Sequence, residues 1–243
     1  MRLIELFAIM ICFALFACTG NEKSDEAIHH DAEDKDNLIT TKKPIQAPLE
    51  EEVKKEIPPP ADYDTTLWTD ISRIQPDILL DLRYATTNNF LEKQLYECAR
   101  CFLRPQTAKA LQKVHLELRE KGYGLLVWDC YRPQSVQRKM WEVMPNPNYV
   151  ANPDRGSMHS RGVAVDATIV DESGTPLDMG TDFDYFGRAA HYDNRDLPEE
   201  VLRNRDLLRT TMEKYGLMGI RTEWWHFSMR GLGYPLDEMV WEC

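Results

Sequence analysis

Between Thr19 and about Pro60 the chain offers nothing to a hydrophobic core: Lys, Glu, Asp and Pro dominate, no apolar period is sustained, and the stretch closes on Pro58-Pro59-Pro60. Such a composition buries too little apolar surface to offset the entropy of ordering. The fold must therefore be carried by the segment from about Asp62 to Cys243, a length suited to one domain of ordinary size. The polar stretch reads as an extended or disordered tether, and His29-His30 within it as a solvated pair.

Ahead of the tether, Arg2 precedes an apolar run from Leu6 to Phe16. That run is too short to span a bilayer as a mature helix and is expected to be a removed secretory signal. Leu15-Phe16-Ala17-Cys18 resembles the bacterial lipobox, in which the cysteine after the cut carries lipid. The implied layout is a signal over 1–17, a lipid-anchored linker over 18–61 with lipid on Cys18, and a folded domain over 62–243. It places the domain outside the cytoplasm, held to a bacterial membrane and facing the periplasm or exterior. Glu5 is unusual in such a leader, and the competing reading is a plain signal with an incidental cysteine.

The chain carries 29 Lys and Arg against 40 Asp and Glu, a net charge of −11, of which the tether holds −5 and the domain −6. With no basic surplus to neutralise phosphates, nucleic acid is excluded as a partner, and a small or overall uncharged substrate is expected. Oligomeric state is not legible. Beyond Cys18, Cys98, Cys101, Cys130 and Cys243 form an even set compatible with two disulfides in an exported protein. Three pairings stay open. Cys98-x-x-Cys101 as half a metal site or a redox pair is the lesser reading, because no second C-x-x-C accompanies it.

Ala108, Leu111, Val114 and Leu118 recur at helical spacing and predict a helix from about Thr107 to Lys121, ended by Gly122. His115 beside that stripe reads as a packed or boundary histidine. Gly124 to Asp129 is short and branched, as a buried strand is, and Pro133 is placed to open a helix through Val136, Met140 and Met144. Arg132 thus falls at a strand-to-helix junction. From Val163 to Ile169 a two-residue alternation predicts a strand with the valines on one inside face and Asp166 opposite. A later helix is expected over Pro198 to Tyr215, with Leu202, Leu208, Met212 and Tyr215 inward, and a last strand over Trp225 to Met229. This order predicts an α+β fold, a small, mainly antiparallel sheet with flanking helices.

Chemistry concentrates in two stretches, Ser157-Met158-His159-Ser160-Arg161-Gly162-Val163-Ala164-Val165-Asp166 and Glu223-Trp224-Trp225-His226. Two histidines and one carboxylate can bind zinc and leave a fourth position for water, the form of a catalytic site, whereas structural zinc is normally closed by four protein ligands. His159, Asp166 and His226 are the candidate ligands for one zinc ion per chain. His159 and Asp166 lie seven apart and cannot share a face of one regular strand, so His159 must come from the preceding loop, with Gly162 supplying the bend. By the same parity Glu223 falls before the last strand or at a bulge. Peptide hydrolysis at zinc also needs a base that takes the water proton and an acid that protonates the leaving amine, and Glu223 can serve as both. Arg132 is the candidate for stabilising the oxyanion.

These residues resemble the D-alanyl-D-alanine dipeptidase family, which includes the vancomycin-resistance enzymes. The likeness runs from about Asp81 to Tyr234 and rests on a Ser-x-His-x-x-Gly-x-Ala-x-Asp segment, a Glu-Trp-Trp-His segment, and a Trp-Asp-Gly-Tyr-Arg-Pro segment matched by Trp128 to Pro133, with Cys130 in place of the glycine. The resemblance implies a zinc D-Ala-D-Ala peptidase-like fold, zinc on His159, Asp166 and His226, catalytic Glu223 and Arg132, Asp184 for the substrate's free ammonium, and Ser157 and Tyr84 lining a small pocket. Asp184 stands in an acidic loop with Asp178 and Asp182, for which a simply solvated loop is the competing, lesser reading; His191 reads as pocket rim or ordinary loop. The expected activity is zinc-dependent hydrolysis of D-Ala-D-Ala or a related dipeptide in cell-wall peptide turnover. Alternatives are a peptidoglycan D,D-carboxypeptidase, a zinc-containing binding module without catalysis, and an Fe(II) oxygenase on the same ligand type.

Overall fold

The computed structural model describes residues 60–243; the expected signal, Cys18 and nearly all of the tether lie outside them. No helix among the described residues is long and apolar enough to cross a membrane. In chain order the elements are β1 (Thr69–Asp70), α1 (Ile71–Ile74), β2 (Leu79–Leu80), β3 (Phe102–Leu103), α2 (Pro105–Arg119), β4 (Gly124–Asp129), α3 (Gln134–Val143), β5 (Ala164–Val170), α4 (Glu199–Lys214), β6 (Leu217–Gly219) and β7 (His226–Met229). Five strands form one sheet in the order β2-β4-β5-β7-β6, in which only β2 and β4 run parallel. A small β1–β3 ribbon stands apart. This is the α+β, mainly antiparallel arrangement the element order predicts.

Helix α2 opens with Pro105 at its first turn, where a missing N–H costs nothing, and Gly122 follows its end in left-handed backbone at φ +80°. Ala108, Leu111, Val114 and Leu118 are fully buried, as their spacing requires. His115 is a packed histidine: its Nε2 lies 2.9 Å from Asp77, and its Nδ1 accepts from the Leu125 amide. Strand β4 has the expected bounds.

Two expectations are corrected. All seven residues of β5 are buried, so the strand has no solvent face. Val165, Ala167 and Ile169 join the main apolar core, while Asp166 lines a cavity on the opposite side. In α4 the buried positions are Val201, Arg205, Leu208, Thr211 and Met212; Leu202 and Tyr215 are only half-buried. An arginine holds a place on the inner stripe, which apolar periodicity alone could not find.

The cysteines pair as Cys98–Cys243 and Cys101–Cys130. The first ties the last residue of the chain to the segment before β3, and the second ties that segment to the end of β4. Cys98 and Cys101 do not pair with one another, so the redox-pair reading falls. Cys130 is not in the left-handed region, so a side chain there is accommodated without backbone strain.

Candidate active site

The sheet itself builds half of the site. Across the central strands Asp129 of β4 stands opposite Asp166 of β5, which stands opposite His226 of β7. Directly opposed residues of antiparallel strands project to the same face at close range, and His226 Nδ1 lies 3.0 Å from Asp166 Oδ1. His159 enters from outside the strand, on a 3₁₀ turn His159–Arg161 closed by Gly162 at φ +71°. A Cβ at Gly162 would lie 2.4 Å from the Trp68 ring, so both backbone and packing require glycine there. The turn sets His159 Nε2 at 3.1 Å from His226 Nδ1 and 3.3 Å from Asp166 Oδ1.

These separations test the donor set. Four ligands about 2.0 Å from a tetrahedral zinc are about 3.3 Å apart from one another, close to the three observed distances. The three residues are buried and form the metal-capable group found among the described residues. The far side of His159 is also fixed: Nδ1 donates to the Cys130 carbonyl at 2.7 Å, with Asp129 Oδ2 at 3.3 Å, leaving Nε2 to face the cluster. An outer hydrogen bond of this kind sets the tautomer and orientation of a metal-binding histidine. The side chains present therefore fit zinc.

The electrostatics follow from packing charge into a dry place. Burial disfavours the Asp166 anion, yet His159 and His226 overcome it and hold the carboxyl well below the usual carboxylate range. Burial likewise opposes charge on His159, and Asp166 and Asp129 overcome that, raising the imidazole above its ordinary value.

Glu223 lies just ahead of the Trp224–Trp225 turn that leads into β7, outside the strand as parity demands. Its neighbours anchor it: the Trp224 amide donates to Ala190 O at 3.1 Å, the Trp224 indole N–H to Thr181 Oγ1 at 2.8 Å, and the Ala167 amide to Trp225 O at 3.1 Å. Both tryptophans are core residues, and Glu223 faces the cavity. Burial pushes its carboxyl up to about 7. Arg132 follows β4, its amide donating to His159 O at 3.3 Å, its Nε 3.3 Å from Asp129 Oδ2, and its guanidinium facing the same cavity. Asp129 thus touches both His159 and Arg132, a bridging place that its position in the sequence motif does not disclose.

Asp184 lines the cavity from a loop, with left-handed backbone at φ +57° and its Oδ2 accepting from Tyr84 Oη at 2.7 Å. Burial drives its carboxyl well above the ordinary value, with Asp166 and Glu223 adding to the effect. A carboxylate so short of solvent is improved by any cation that enters. Asp178 instead bonds the Gly180 amide and Asp182 is solvent-exposed, so only Asp184 of the acidic loop reaches the cavity. Tyr84 and Ser157 line it too, and Ser157 Oγ accepts from the His159 amide at 3.2 Å. His191 is not in the cavity lining; it sits between Arg188 and Arg221.

The loop that carries Asp184 is held by Arg205, which is 2% exposed and donates to the carbonyls of Met179, Ala189 and His191 at 2.7, 2.9 and 3.3 Å. Nothing in the chain's patterning marks this role beyond an arginine on the inner side of α4. Arg205→Met is expected to raise KM several-fold with a smaller change in kcat, because it slackens the loop without touching the ligand cluster; steady-state kinetics on the folded variant checks this.

The cavity these residues line is about 270 Å³, below the roughly 300–1,000 Å³ of pockets for drug-sized ligands. A family model described as D-Ala-D-Ala dipeptidase matches residues 64–240. A D-alanyl-D-alanine dipeptidase of Escherichia coli is 40% identical over 74% of this chain and 94% of its own length. One from Enterococcus faecalis is 32% identical over 64% of this chain and 87% of its own. Among solved structures, the vancomycin resistance D,D-dipeptidase VanXYg in complex with a D-Ala-D-Ala phosphinate analog is 20% identical, with a TM-score of 0.35, over 55% of this chain and 52% of that one.

Proposed function

The chain belongs to the D-Ala-D-Ala dipeptidase family, and from that premise we propose how its residues carry out zinc-dependent hydrolysis of D-Ala-D-Ala or a closely related dipeptide. The observation that carries the reading is the facing of Asp184, Glu223 and Arg132 into one small cavity with the ligand atoms of His159, Asp166 and His226. These three would hold one zinc ion, which when bound would supply polarisation of water and of the scissile carbonyl.

Glu223 takes the proton of the attacking water and passes it to the departing amine. Arg132, always charged, faces the oxygen that gains charge as the carbonyl carbon becomes tetrahedral, and Asp129 fixes its guanidinium. Asp184 binds the ammonium of the substrate's first residue, with Tyr84 orienting the carboxylate, and Ser157 steadies the turn that carries His159. A charge clamp at the amino end of a cavity this small favours a free dipeptide over the end of a long stem.

The metal-replete chain should release alanine from D-Ala-D-Ala and cleave N-acetyl-D-Ala-D-Ala far more slowly. Equal cleavage of both would remove the clamp and favour a D,D-carboxypeptidase. Asp184→Asn, which keeps shape and discards charge, should raise KM for the dipeptide by at least tenfold, in line with a charged hydrogen bond worth about 1.5–3 kcal/mol, and should not change the rate on the acetylated compound.

The leader supports export, and Cys18 supports lipid attachment, with 18–61 as the tether and 62–243 as the enzyme domain. An outward-facing enzyme is placed to recover dipeptides released from the wall. Cys18→Ala should free the protein from the membrane fraction, and unimpaired growth on D-Ala-D-Ala after deletion would count against the recovery role.

A further inference from the structure

The bridge between Cys101 and Cys130 stands directly behind the metal-ligand cluster. The Cys130 carbonyl takes the His159 Nδ1 hydrogen at 2.7 Å. The residue before it, Asp129, lies 3.3 Å from the same ring, and the Arg132 amide donates to His159 O at 3.3 Å. The short run from Asp129 to Arg132 therefore orients a metal ligand and supplies the cavity's cation. That run begins where the β4–β5 register shifts, so the regular ladder does not secure it.

What secures it is the segment around Cys101. The Tyr131 amide donates to Phe102 O at 2.9 Å, the Ile71 amide donates to Cys101 O at 2.9 Å, and the sulfur bridge joins Cys101 to Cys130. Both cysteines are buried, and neither lines the cavity. Their side chains touch no reacting atom. Their effect on the site runs through the backbone of Cys130.

We propose that the Cys101–Cys130 bridge is a positioning element of the metal centre, so that full zinc affinity and turnover are reached only after these two thiols have been oxidised. Formation removes one proton from each thiol and passes an electron pair to an external disulfide oxidant, which leaves as two thiols while the protein's S–S bond forms. In a reducing compartment, where such bridges do not persist, the chain binds zinc weakly and turns over slowly. The turnover half of this inference rests on the proposed hydrolysis; the zinc half stands without it.

The test uses the full chain carrying Cys12→Ser, Cys18→Ser, Cys98→Ser and Cys243→Ser, so that Cys101 and Cys130 are the only thiols left and only one intramolecular bridge can form. That removes a staple whose residues are absent from the cavity lining. The reduced, denatured protein is refolded either with oxidised glutathione or with a phosphine reductant. Circular dichroism reports folding, chelator competition reports zinc affinity, and steady-state kinetics on D-Ala-D-Ala reports kcat and KM.

The oxidised form should match wild type in zinc affinity. The reduced form should fold yet bind zinc about 10- to 100-fold more weakly, the usual loss when an outer partner of a metal ligand is disturbed, with kcat falling more than KM rises. Cys101→Ala with Cys130→Ala should show the weaker binding under both refolding conditions. Equal zinc affinity in the reduced and oxidised forms would overturn the proposal. So would failure of both the reduced chain and the alanine pair to fold, since the bridge would then serve the whole fold and not the site. A 10- to 100-fold difference in zinc affinity with no hydrolysis in either form would uphold the positioning role and refute the proposed reaction.

Discussion

Glu223→Gln is expected to lower kcat on D-Ala-D-Ala by on the order of 10²- to 10⁴-fold, the range that a lost general acid–base contributes, while zinc content stays at the wild-type level. Glutamine keeps the size of the side chain and can still hydrogen bond, but it can neither accept the water proton nor hand it to the leaving amine. Glu223 is not one of the converging ligand atoms, so the metal has no reason to leave. The pH profile gives a second reading. Burial pushes the Glu223 carboxyl up to about 7 in the metal-free protein, with Asp166 adding to the rise and His226 opposing it. A cation held on the neighbouring ligands lowers it. Since the base works ionised, kcat/KM should rise with pH along an acid limb below 7, and that limb should be missing from the residual activity of the variant. Wild-type turnover in the variant, or loss of its metal, would remove Glu223 from the proton path.

How far the site could be read in advance depended on whether a constraint was local. A separation of seven positions from His159 to Asp166, and of three from Glu223 to His226, forbids a shared strand face, and the structure answers with a 3₁₀ turn and a turn before β7. Gly162 could be read because its left-handed backbone is a property of one residue. Asp129 could not: its bridging of His159 and Arg132 depends on the register shift between β4 and β5, which no single segment encodes. The cysteine pairing was open for the same reason, since chain separations of 145 and 29 residues say nothing about which ends meet. Arg205 falls on the inner side of α4, but its role depends on the loop packed over it, whose carbonyls of Met179 and Ala189 it binds. The burial of both faces of β5 depends on what the loops cover, and alternation within the strand reports only that its two faces differ in chemistry.

Stripping the metal with a chelator should reduce hydrolysis to background, and one equivalent of zinc should restore it in the wild type but not in His226→Ala. This variant tests the ligand assignment more sharply than a surface histidine would, because the other candidate donors cannot fill its place. His159 Nδ1 is already engaged by the Cys130 carbonyl, and Asp129, which flanks Asp166 on the other side, is turned toward His159 Nδ1 and Arg132. With the imidazole gone, Asp166 and His159 remain as a pair 3.3 Å apart, too few donors to hold zinc against a chelator. Acid should act in the same direction on the wild type. His159 is raised above its ordinary value by Asp166 and Asp129 against the cost of burial, and zinc must displace its proton to bind. Apparent zinc affinity should therefore weaken as pH falls through that raised value, measurable by competition at fixed ionic strength. Full reactivation of His226→Ala by one equivalent of zinc would show that the metal is held elsewhere.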